Sequence, residues 1–226
     1  MISVITYATG TSLYLSYFIM SCAKYKISPT ILDWGQSYRG LGARLKVVNT
    51  ALAQLAAHSS HVLFVDAYDV IFVENLNSIF SKYSEMNHPL ILSTEKNCFP
   101  DIEKAHLYPS CDSPYRFVNG GGWMGETQYI LDVFQKMELE KFPDNANDQT
   151  FWTDLFLSEP SSARLDTNCS IFQSLFEADD DLEYRVAEES KYVVNKLTHT
   201  RPSILHGNGG VNMTLISEWH GLDTLL

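Results

Sequence analysis

Two aspartates, Asp66 and Asp69, stand between the apolar run 61–65 and a second apolar run that starts at Val70. Burying a carboxylate without a partner is costly, so a pair in this position needs a cation or several hydrogen-bond donors. A hard divalent cation takes oxygen ligands and can also bridge the phosphates of a nucleotide diphosphate. The pair therefore indicates a metal site. The structural alternative is that one aspartate caps a turn and the other pairs with a lysine.

His206 is the second candidate, in the segment Ile204-Leu205-His206-Gly207-Asn208-Gly209. A lone histidine after an apolar run is more often a structural residue than a ligand. The glycines that follow it change this balance, because they let backbone N–H groups approach a phosphate closely. A neutral imidazole beside carboxylates is also a suitable manganese ligand. We therefore take His206 as the third ligand of the candidate site.

Three further polar segments are weaker signals. Residues 119–122 read Asn-Gly-Gly-Gly and predict a loop, because consecutive glycines lose much conformational freedom on folding. Residues 144–149 contain Asp144, Asn147 and Asp148 and, on local grounds, favour a solvated loop with a helix N-cap. The acidic run 177–181 is typical of a solvated loop, and we assign it no role.

The elements that must position these groups alternate between strand and helix in the first half of the chain. Apolar periodicity predicts strands at 2–7, 30–32, 61–65, 90–94 and 204–206 and helices at 13–25, 45–57 and 129–137. Such alternation is typical of an α/β fold with a Rossmann-like, mostly parallel sheet flanked by helices. Ligands bind at the carboxyl ends of strands in these sheets, which is where Asp66 and Asp69 fall.

The overall composition limits the function classes. A length of 226 residues with 45% hydrophobic residues suits a single domain spanning 1–226. The formal net charge of -11 makes nucleic acid an unfavourable partner, although Arg39, Arg44 and Lys46 form a local basic cluster for an anionic ligand. No apolar run approaches the roughly 18 residues of a membrane helix, so we expect no membrane partner.

Targeting and cysteine usage give two more expectations. The N-terminus enters a β-branched run without a secretory signal pattern, which predicts a cytoplasmic protein. The four cysteines are widely spaced with no C-x-x-C pair, so four free thiols are expected, with pairing of Cys98 and Cys111 as the alternative.

A series of short segments, taken in order along nearly the whole chain, carries a family resemblance. They are Thr6-Tyr7-Ala8-Thr9, Phe64-Val65-Asp66-Ala67-Tyr68-Asp69-Val70-Ile71, Ser93-Thr94-Glu95 with Cys98 and Pro100, Tyr108-Pro109, Arg116-Phe117-Val118-Asn119-Gly120-Gly121-Gly122, Asp148-Gln149, Leu165-Asp166 with Ile171-Phe172-Gln173, and His206-Gly207-Asn208-Gly209. Together they resemble the glycosyltransferase domain of the procollagen lysyl hydroxylase/glucosyltransferase (PLOD) family. The resemblance implies a glycosyltransferase type A (GT-A) fold, a UDP-sugar donor and a Mn²⁺ or Mg²⁺ ion held by Asp66, Asp69 and His206.

The resemblance also implies roles for residues around that ion. It places Tyr38 against the uracil and Tyr68 beside the nucleotide, and it makes Asp144, Asn147 and Asp148 the catalytic segment that faces the transferred sugar. The remaining donor-binding candidates are Thr6, Tyr7, Arg44, Lys46, Asn119, Gly120, Gly121, Gly207 and Gly209. In this scheme the ion compensates charge on the leaving diphosphate, and a carboxylate steadies positive charge that develops at the anomeric carbon.

Several departures from the family pattern bear on the acceptor. Asn145, Ala146 and Asn147 interrupt an acidic run that is longer in members acting on galactosyl-hydroxylysine, Phe99 stands where a larger aromatic is usual, and the loop before Arg44 is shortened. The chain ends where hydroxylase domains would begin, so no iron or 2-oxoglutarate chemistry is expected.

The function expected from these observations is transfer of a hexose, glucose or galactose, from its UDP form to a hydroxyl acceptor with retention of configuration. The acceptor is a peptide, a glycan such as a hydroxylysine-linked one, or a small molecule. Two alternatives stay open: transfer to a modified DNA base or a small metabolite, and a nucleotide-sugar-binding protein with weak or absent turnover.

Overall fold

The computed structural model describes residues 1–187 and 190–222 and contains a six-stranded main sheet. Its strands, in spatial order, are β2 (Pro29–Leu32), β1 (Ile2–Tyr7), β3 (His61–Val65), β6 (Phe117–Glu126), β5 (Leu90–Glu95) and β7 (Arg164–Leu165). All neighbouring strands are parallel except β6, which runs antiparallel to both β3 and β5. The predicted mostly parallel α/β sheet is confirmed, and the architecture is that of the GT-A fold.

A second, three-stranded sheet supports the predicted metal ligands. It consists of β4 (Val70–Phe72), β11 (Ile204–His206) and β8 (Phe172–Ser174), with β11 in the centre. β11 is antiparallel to β4 and parallel to β8. A separate antiparallel pair is formed by β9 (Leu182–Ala187) and β10 (Ser190–Asn195).

Six α-helices accompany these strands within the described residues. They are α1 (Leu13–Lys24), α2 (Leu41–Leu55), α3 (Leu76–Met86), α4 (Thr127–Lys136), α5 (Asp148–Ser158) and α6 (Met213–His220). Four begin where a Ser or Asn side chain accepts from a backbone N–H of the first turn, which satisfies one of the otherwise unpaired donors there. None of the described helices is both long and apolar enough to cross a membrane.

Aromatic packing on one face of the main sheet holds β3, β6 and α5 together. The rings of Phe64 and Trp123 stack with centroids 5.2 Å apart, and Trp152 lies 5.4 Å from Trp123. Each of these side chains is at most 1% exposed, and burying such a ring contributes roughly 1.5–3 kcal/mol. This packing fixes α5, and with it Asp148, against the middle of the sheet.

The structure corrects the prediction of a loop at residues 119–122. This segment lies inside the ten-residue strand β6, which pairs on both sides. The glycines allow α5 and β8 to pack closely against β6. A Cβ on Gly120 would lie 3.1 Å from Cα of Gln149, and one on Gly122 would lie 2.8 Å from the ring of Phe172. The missing side chains therefore make room for neighbouring elements within a strand.

Three smaller outcomes concern single segments. The helix predicted at 45–57 begins four residues earlier, at Leu41. The acidic run 177–181 is solvated only in part, because Asp181 is buried and accepts a hydrogen bond from the hydroxyl of Tyr115 at 2.7 Å. All four cysteines are free thiols, so Cys98 and Cys111 are not paired.

Candidate active site

Strand pairing brings the three predicted metal ligands together. Asp66 directly follows β3, Asp69 precedes β4, and His206 is the last residue of β11. Because β4 and β11 pair with His206 opposite Val70, Asp69 and His206 become neighbours across the small sheet. The backbone N–H of Gly207 also donates to the carbonyl of Asp69 at 2.7 Å, which fixes the turn on both sides.

The ligand atoms converge on one point. Nε2 of His206 lies 3.6 Å from Oδ2 of Asp66 and 3.3 Å from Oδ2 of Asp69. One ligand atom from each of the three residues lies within 4.8 Å of the other two. Two carboxylate oxygens and one imidazole nitrogen form a donor set that suits Mn²⁺ and, less selectively, Mg²⁺.

The electrostatics of this cluster favour a positive charge at its centre. Burial alone would lower the pKa of His206, but the charges of Asp69 and Asp66 outweigh it and raise the pKa to about 9. Burial raises the pKa of Asp66 despite the nearby charge of Arg44. Burial acts in the same direction on Asp69, yet the charge and hydrogen bond of His206 lower its pKa overall. A divalent cation bound between Asp66, Asp69 and His206 would supply the positive charge that stabilises the two carboxylates.

Arg44 joins this cluster to the segment predicted to face the sugar. Its Nε donates to Oδ2 of Asp148 at 2.9 Å, and its guanidinium also contacts a carboxylate oxygen of Asp66. The guanidinium carbon lies 5.4 Å from the centre of the Phe64 ring. Arg44 was predicted to contact the donor, and no feature of the sequence indicated that it also neutralises two acidic side chains.

A cavity of about 490 Å³ opens over these groups. Its lining includes Arg44, Asp66, Asp69 and His206. The backbone of β6 forms the floor, since a Cβ on Gly121 would lie 2.2 Å from Cε1 of His206 and 2.6 Å from Oδ2 of Asp66. The cavity is large enough for a hexose and the adjoining phosphates.

Another cavity, of about 520 Å³, lies at the opposite end of the small sheet, around Glu74, Lys82 and Asp166. Two of its acidic groups, Glu74 and Asp166, already have partners. Glu74 pairs with Lys82 at 2.6 Å, and Asp166 accepts from the backbone N–H groups of Ser170, Ile171 and Phe172. The cluster of Asp66, Asp69 and His206 is therefore the better candidate for chemistry.

Glu95 is a residue that site prediction from the sequence missed. Its Oε1 accepts from Nδ2 of Asn119 at 2.9 Å and from Nε2 of Gln149 at 2.8 Å, while its Oε2 accepts from Nδ2 of Asn208 at 3.1 Å. Burial raises the pKa of its carboxyl group, although these hydrogen bonds act in the opposite direction. Glu95, at the end of β5, thus connects β6, α5 and the turn after β11 under the cavity. The segment Ser93-Thr94-Glu95 was part of the family resemblance, but nothing local pointed to this role.

Tyr68 lies on the side of the site that adjoins the loop after β1. Its hydroxyl accepts from the backbone N–H groups of Thr9 and Gly10 at 3.1 Å each and donates to the carbonyl of Gly10 at 2.9 Å. The neighbouring loop 33–40 is attached there because the N–H of Gly35 donates to the carbonyl of Thr9. This loop carries two aromatic rings that are at least half exposed, Trp34 at 50% and Tyr38 at 59%. Prediction from the sequence named Tyr38 but not Trp34.

Six donor-binding candidates lie outside the cavity lining: Tyr38 and Tyr68, described above, and Thr6, Tyr7, Lys46 and Gly207. The hydroxyl of Thr6 donates to the carbonyl of Val65, and the hydroxyl of Tyr7 donates to Asp33. Gly207 packs against Met213, where a Cβ would lie 2.3 Å from Sδ. Lys46 pairs with Asp144 at 2.6 Å, so this predicted donor contact and this predicted catalytic residue bind each other.

The catalytic segment is divided by the structure. Asn147 and Asp148 line the cavity, together with the candidates Asn119, Gly120, Gly121 and Gly209. Oδ1 of Asn147 accepts from the backbone N–H of Gln149 at 2.9 Å, so Asn147 is the predicted N-cap of α5. Asp144 is half exposed and lies outside the lining. Asp148 is the carboxylate of this segment that remains next to the metal ligands.

A mostly parallel sheet that places an aspartate pair and a distant histidine at one cavity is the arrangement expected of a GT-A glycosyltransferase. Comparison with known proteins gives the same class: residues 1–218 match the family described as the PLOD GT domain. The chain belongs to this family.

Individual relatives agree with this assignment. The chain is 34% identical to a procollagen-lysine,2-oxoglutarate 5-dioxygenase of Drosophila melanogaster over 92% of its own length. It is 28% identical to procollagen-lysine,2-oxoglutarate 5-dioxygenase 2 of Mus musculus and to the human multifunctional procollagen lysine hydroxylase and glycosyltransferase LH3, each over 94% of its length. The matched region is 30% of each of these three proteins.

Proposed function

We propose that residues 1–226 form one catalytic domain that transfers glucose or galactose from a UDP-sugar to a hydroxyl acceptor, with retention of configuration. The observation that carries the proposal is the convergence of Asp66, Asp69 and His206 within 4.8 Å at a cavity floored by the glycines of β6. Membership of the PLOD glycosyltransferase-domain family supports the transfer reaction.

In this proposal the three ligands hold Mn²⁺ or Mg²⁺, which offsets negative charge on the UDP leaving group when bound. Tyr68 and the loop that carries Tyr38 lie beside the nucleotide. Arg44 contacts the diphosphate and orients Asp148, whose carboxylate stabilises positive charge that develops at the anomeric carbon. The presence of Arg44 and Asp148 in the cavity lining, and the hydrogen bond between them, supports the roles proposed for these two residues.

The acceptor is a hydroxyl-bearing peptide, glycan or small molecule. A hydroxylysine-linked or related glycan is the first class to test, because relatives are named procollagen lysine hydroxylase and glycosyltransferase. The chain corresponds to 30% of those proteins, so their hydroxylase activity does not enter the proposal.

A second candidate function is nucleotide-sugar binding without efficient turnover. The observation that favours it is the state of the catalytic segment, where Asn147 caps a helix, Asp144 pairs with Lys46, and Asp148 pairs with Arg44. Each polar group near the sugar position thus already has a protein partner.

The two candidates differ in one measurement. UDP-glucose and UDP-galactose are incubated with the protein and Mn²⁺ in the absence of acceptor, and release of UDP is followed alongside calorimetric titration of UDP with Mn²⁺. Release that requires Mn²⁺ and is lost in Asp69→Ala supports the transferase. Binding of UDP without release from either donor, and without transfer to added hydroxyl acceptors, supports the binding protein.

The matched control is Asp180→Ala, which removes an exposed aspartate from the acidic run outside the cavity. It is expected to release UDP at the rate of the unmodified protein. Unchanged release in Asp69→Ala, or no heat on titration of the unmodified protein with Mn²⁺ and UDP, would refute the metal site.

A further inference from the structure

Phe176 presents an unusual combination of a fixed backbone and an exposed ring. It follows β8 and lines the 490 Å³ cavity, yet 37% of the residue remains exposed. Its ring contacts Gly209, where a Cβ would come within 2.5 Å of Cδ2. Gly209 also has φ of +69°, so both the backbone and the ring above it require glycine.

Hydrogen bonds hold the Phe176 backbone from both sides. Oδ1 of Asn208 accepts from the backbone N–H groups of Leu175 and Phe176 at 3.0 and 3.1 Å. The next residue, Glu177, accepts from Nδ2 of Asn97 at 3.1 Å and, at its carbonyl, from Nζ of Lys96 at 2.6 Å. Because the backbone is held in this way, less of it must be ordered when a ligand packs on the ring.

The Phe176 ring and Tyr68 lie on different sides of the site. The hydroxyl of Tyr68 is hydrogen-bonded to the loop after β1, which lies on the β1–β2 side of β3. Phe176 is tied through Glu177 to the loop after β5, and β5 lies beyond β6 on the other side of the sheet. Phe99 belongs to that same loop, is 57% exposed and lines the same cavity. Phe176 and Phe99 therefore lie on the β5 side of the site, whereas Tyr68 lies on the β1 side.

We infer that Phe176 is an acceptor contact that packs against the apolar face of a pyranose ring and so selects a cyclic, sugar-bearing acceptor over a linear hydroxyl compound. The inference rests on the proposed function and adds to it a residue that would select between the acceptor classes named there. A pyranose turns several C–H groups to one face, and their partial positive charge suits the negative face of an aromatic ring. Asn97 lies in the same lining, and its amide is a polar group that suits the sugar hydroxyls.

The first test is kinetic and uses Phe176→Leu, which keeps an apolar side chain but removes the ring. With methyl β-galactopyranoside or methyl α-glucopyranoside as acceptor, the acceptor KM is expected to rise roughly three- to tenfold, as loss of a small apolar contact predicts. The donor KM is expected to rise by less than the acceptor KM. An equal or larger rise in the donor KM, or unmodified protein that prefers free hydroxylysine or glycerol to both pyranosides, would overturn the inference.

The second test needs no turnover, so it separates this inference from the proposed function. Saturation-transfer NMR measures contact between the protein and each methyl pyranoside in the presence of UDP and Mg²⁺. The unmodified protein is expected to give signals from one face of the ring, and Phe176→Leu to lose most of them. Equal signals in the two proteins would overturn the inference even if transfer were established.

Tyr184→Leu is the matched control, since Tyr184 is 40% exposed and packs on Trp219, away from the cavity. It is expected to give the kinetics and NMR signals of the unmodified protein. Loss of signal in this control as well would show that the pyranosides contact exposed aromatic rings indiscriminately, which contradicts a specific contact at Phe176.

Discussion

Arg44 and Asp148 lie 104 residues apart in the chain and form a buried ion pair, with Nε of Arg44 donating to Oδ2 of Asp148 at 2.9 Å. The same guanidinium contacts Asp66, a candidate metal ligand. One side chain of α2 therefore sets the position of two carboxylates, one on the main sheet and one at the start of α5. Removal of either partner leaves an uncompensated charge in a nearly closed site.

Replacement of this arginine by an apolar side chain of similar length tests the pair. In Arg44→Met, Asp148 keeps its burial but loses its cation, and the free energy of unfolding is expected to fall by about 3–5 kcal/mol. Urea denaturation of both proteins at pH 7 measures the difference. Arg39→Met is the control, because Arg39 pairs with Asp33 at an exposed position and its loss is expected to cost less than about 1 kcal/mol. Equal losses in the two variants would contradict a structural role for the Arg44 pair.

A second prediction concerns the glycine under the metal ligands. A methyl group at Gly121 would lie 2.2 Å from Cε1 of His206 and 2.6 Å from Oδ2 of Asp66, so Gly121→Ala must push these groups apart. Mn²⁺ affinity, measured by calorimetry, is expected to fall at least about tenfold, since ligand geometry controls affinity. Gly10→Ala is the control because nothing lies within 4 Å of the added methyl group. Mn²⁺ binding of equal strength in Gly121→Ala and the unmodified protein would place the ion elsewhere.

The sequence predicted the sheet and the candidate ligands, but it did not predict the conformation of these glycines. The reason for the difference is physical. Apolar runs and their alternation report burial directly, and an aspartate pair at the end of such a run reports unpaired charge. Consecutive glycines report only that side chains are absent. The sequence alone does not distinguish a flexible loop from a strand such as β6 against which His206 and Gln149 pack closely. The error at residues 119–122 has this cause.

A third prediction tests Glu95, which accepts from three side-chain amides. In Glu95→Gln an NH₂ group replaces one accepting oxygen and faces a donor, so at least one amide loses its partner. The free energy of unfolding is expected to fall by about 1–3 kcal/mol. Urea denaturation measures this loss, with the exposed Glu85→Gln as control. A loss no larger than that of the control would mean that the amides are held by other contacts.

Glu95, Arg44 and Phe176 also show where prediction from sequence ends. Each acts through partners that are distant in the chain, such as Asn208 for Glu95 and Asp148 for Arg44. Glu95 and Phe176 have no local periodicity or spacing that distinguishes them from ordinary positions, and the basic cluster that singled out Arg44 did not indicate its pairing with Asp148. The contacts depend on the order of strands in the sheet, which the sequence pattern did not specify.

The last prediction concerns acid stability. His220, at the end of α6, is 1% exposed, and its Nε2 lies 3.1 Å from the hydroxyl of Tyr25. Burial, followed by the charges of Lys24 and Lys191, lowers its pKa from 6.5 to about 3. Below pH 6.5 the unfolded chain therefore binds a proton at this position that the folded protein excludes, and stability falls as the pH decreases toward 3.

The sign and size of this effect are measured by comparison with His220→Phe, which keeps an aromatic ring beside Tyr25 but cannot titrate. Between pH 7 and pH 5.5 the unmodified protein is expected to lose about 1 kcal/mol more of its free energy of unfolding than the variant loses. Comparing the two proteins cancels the opposite contribution of His206, whose raised pKa favours the folded state at low pH. Parallel pH profiles for the two proteins would show that His220 accepts a proton in the folded state, for which the neighbouring Lys24 and Lys191 would have to move away.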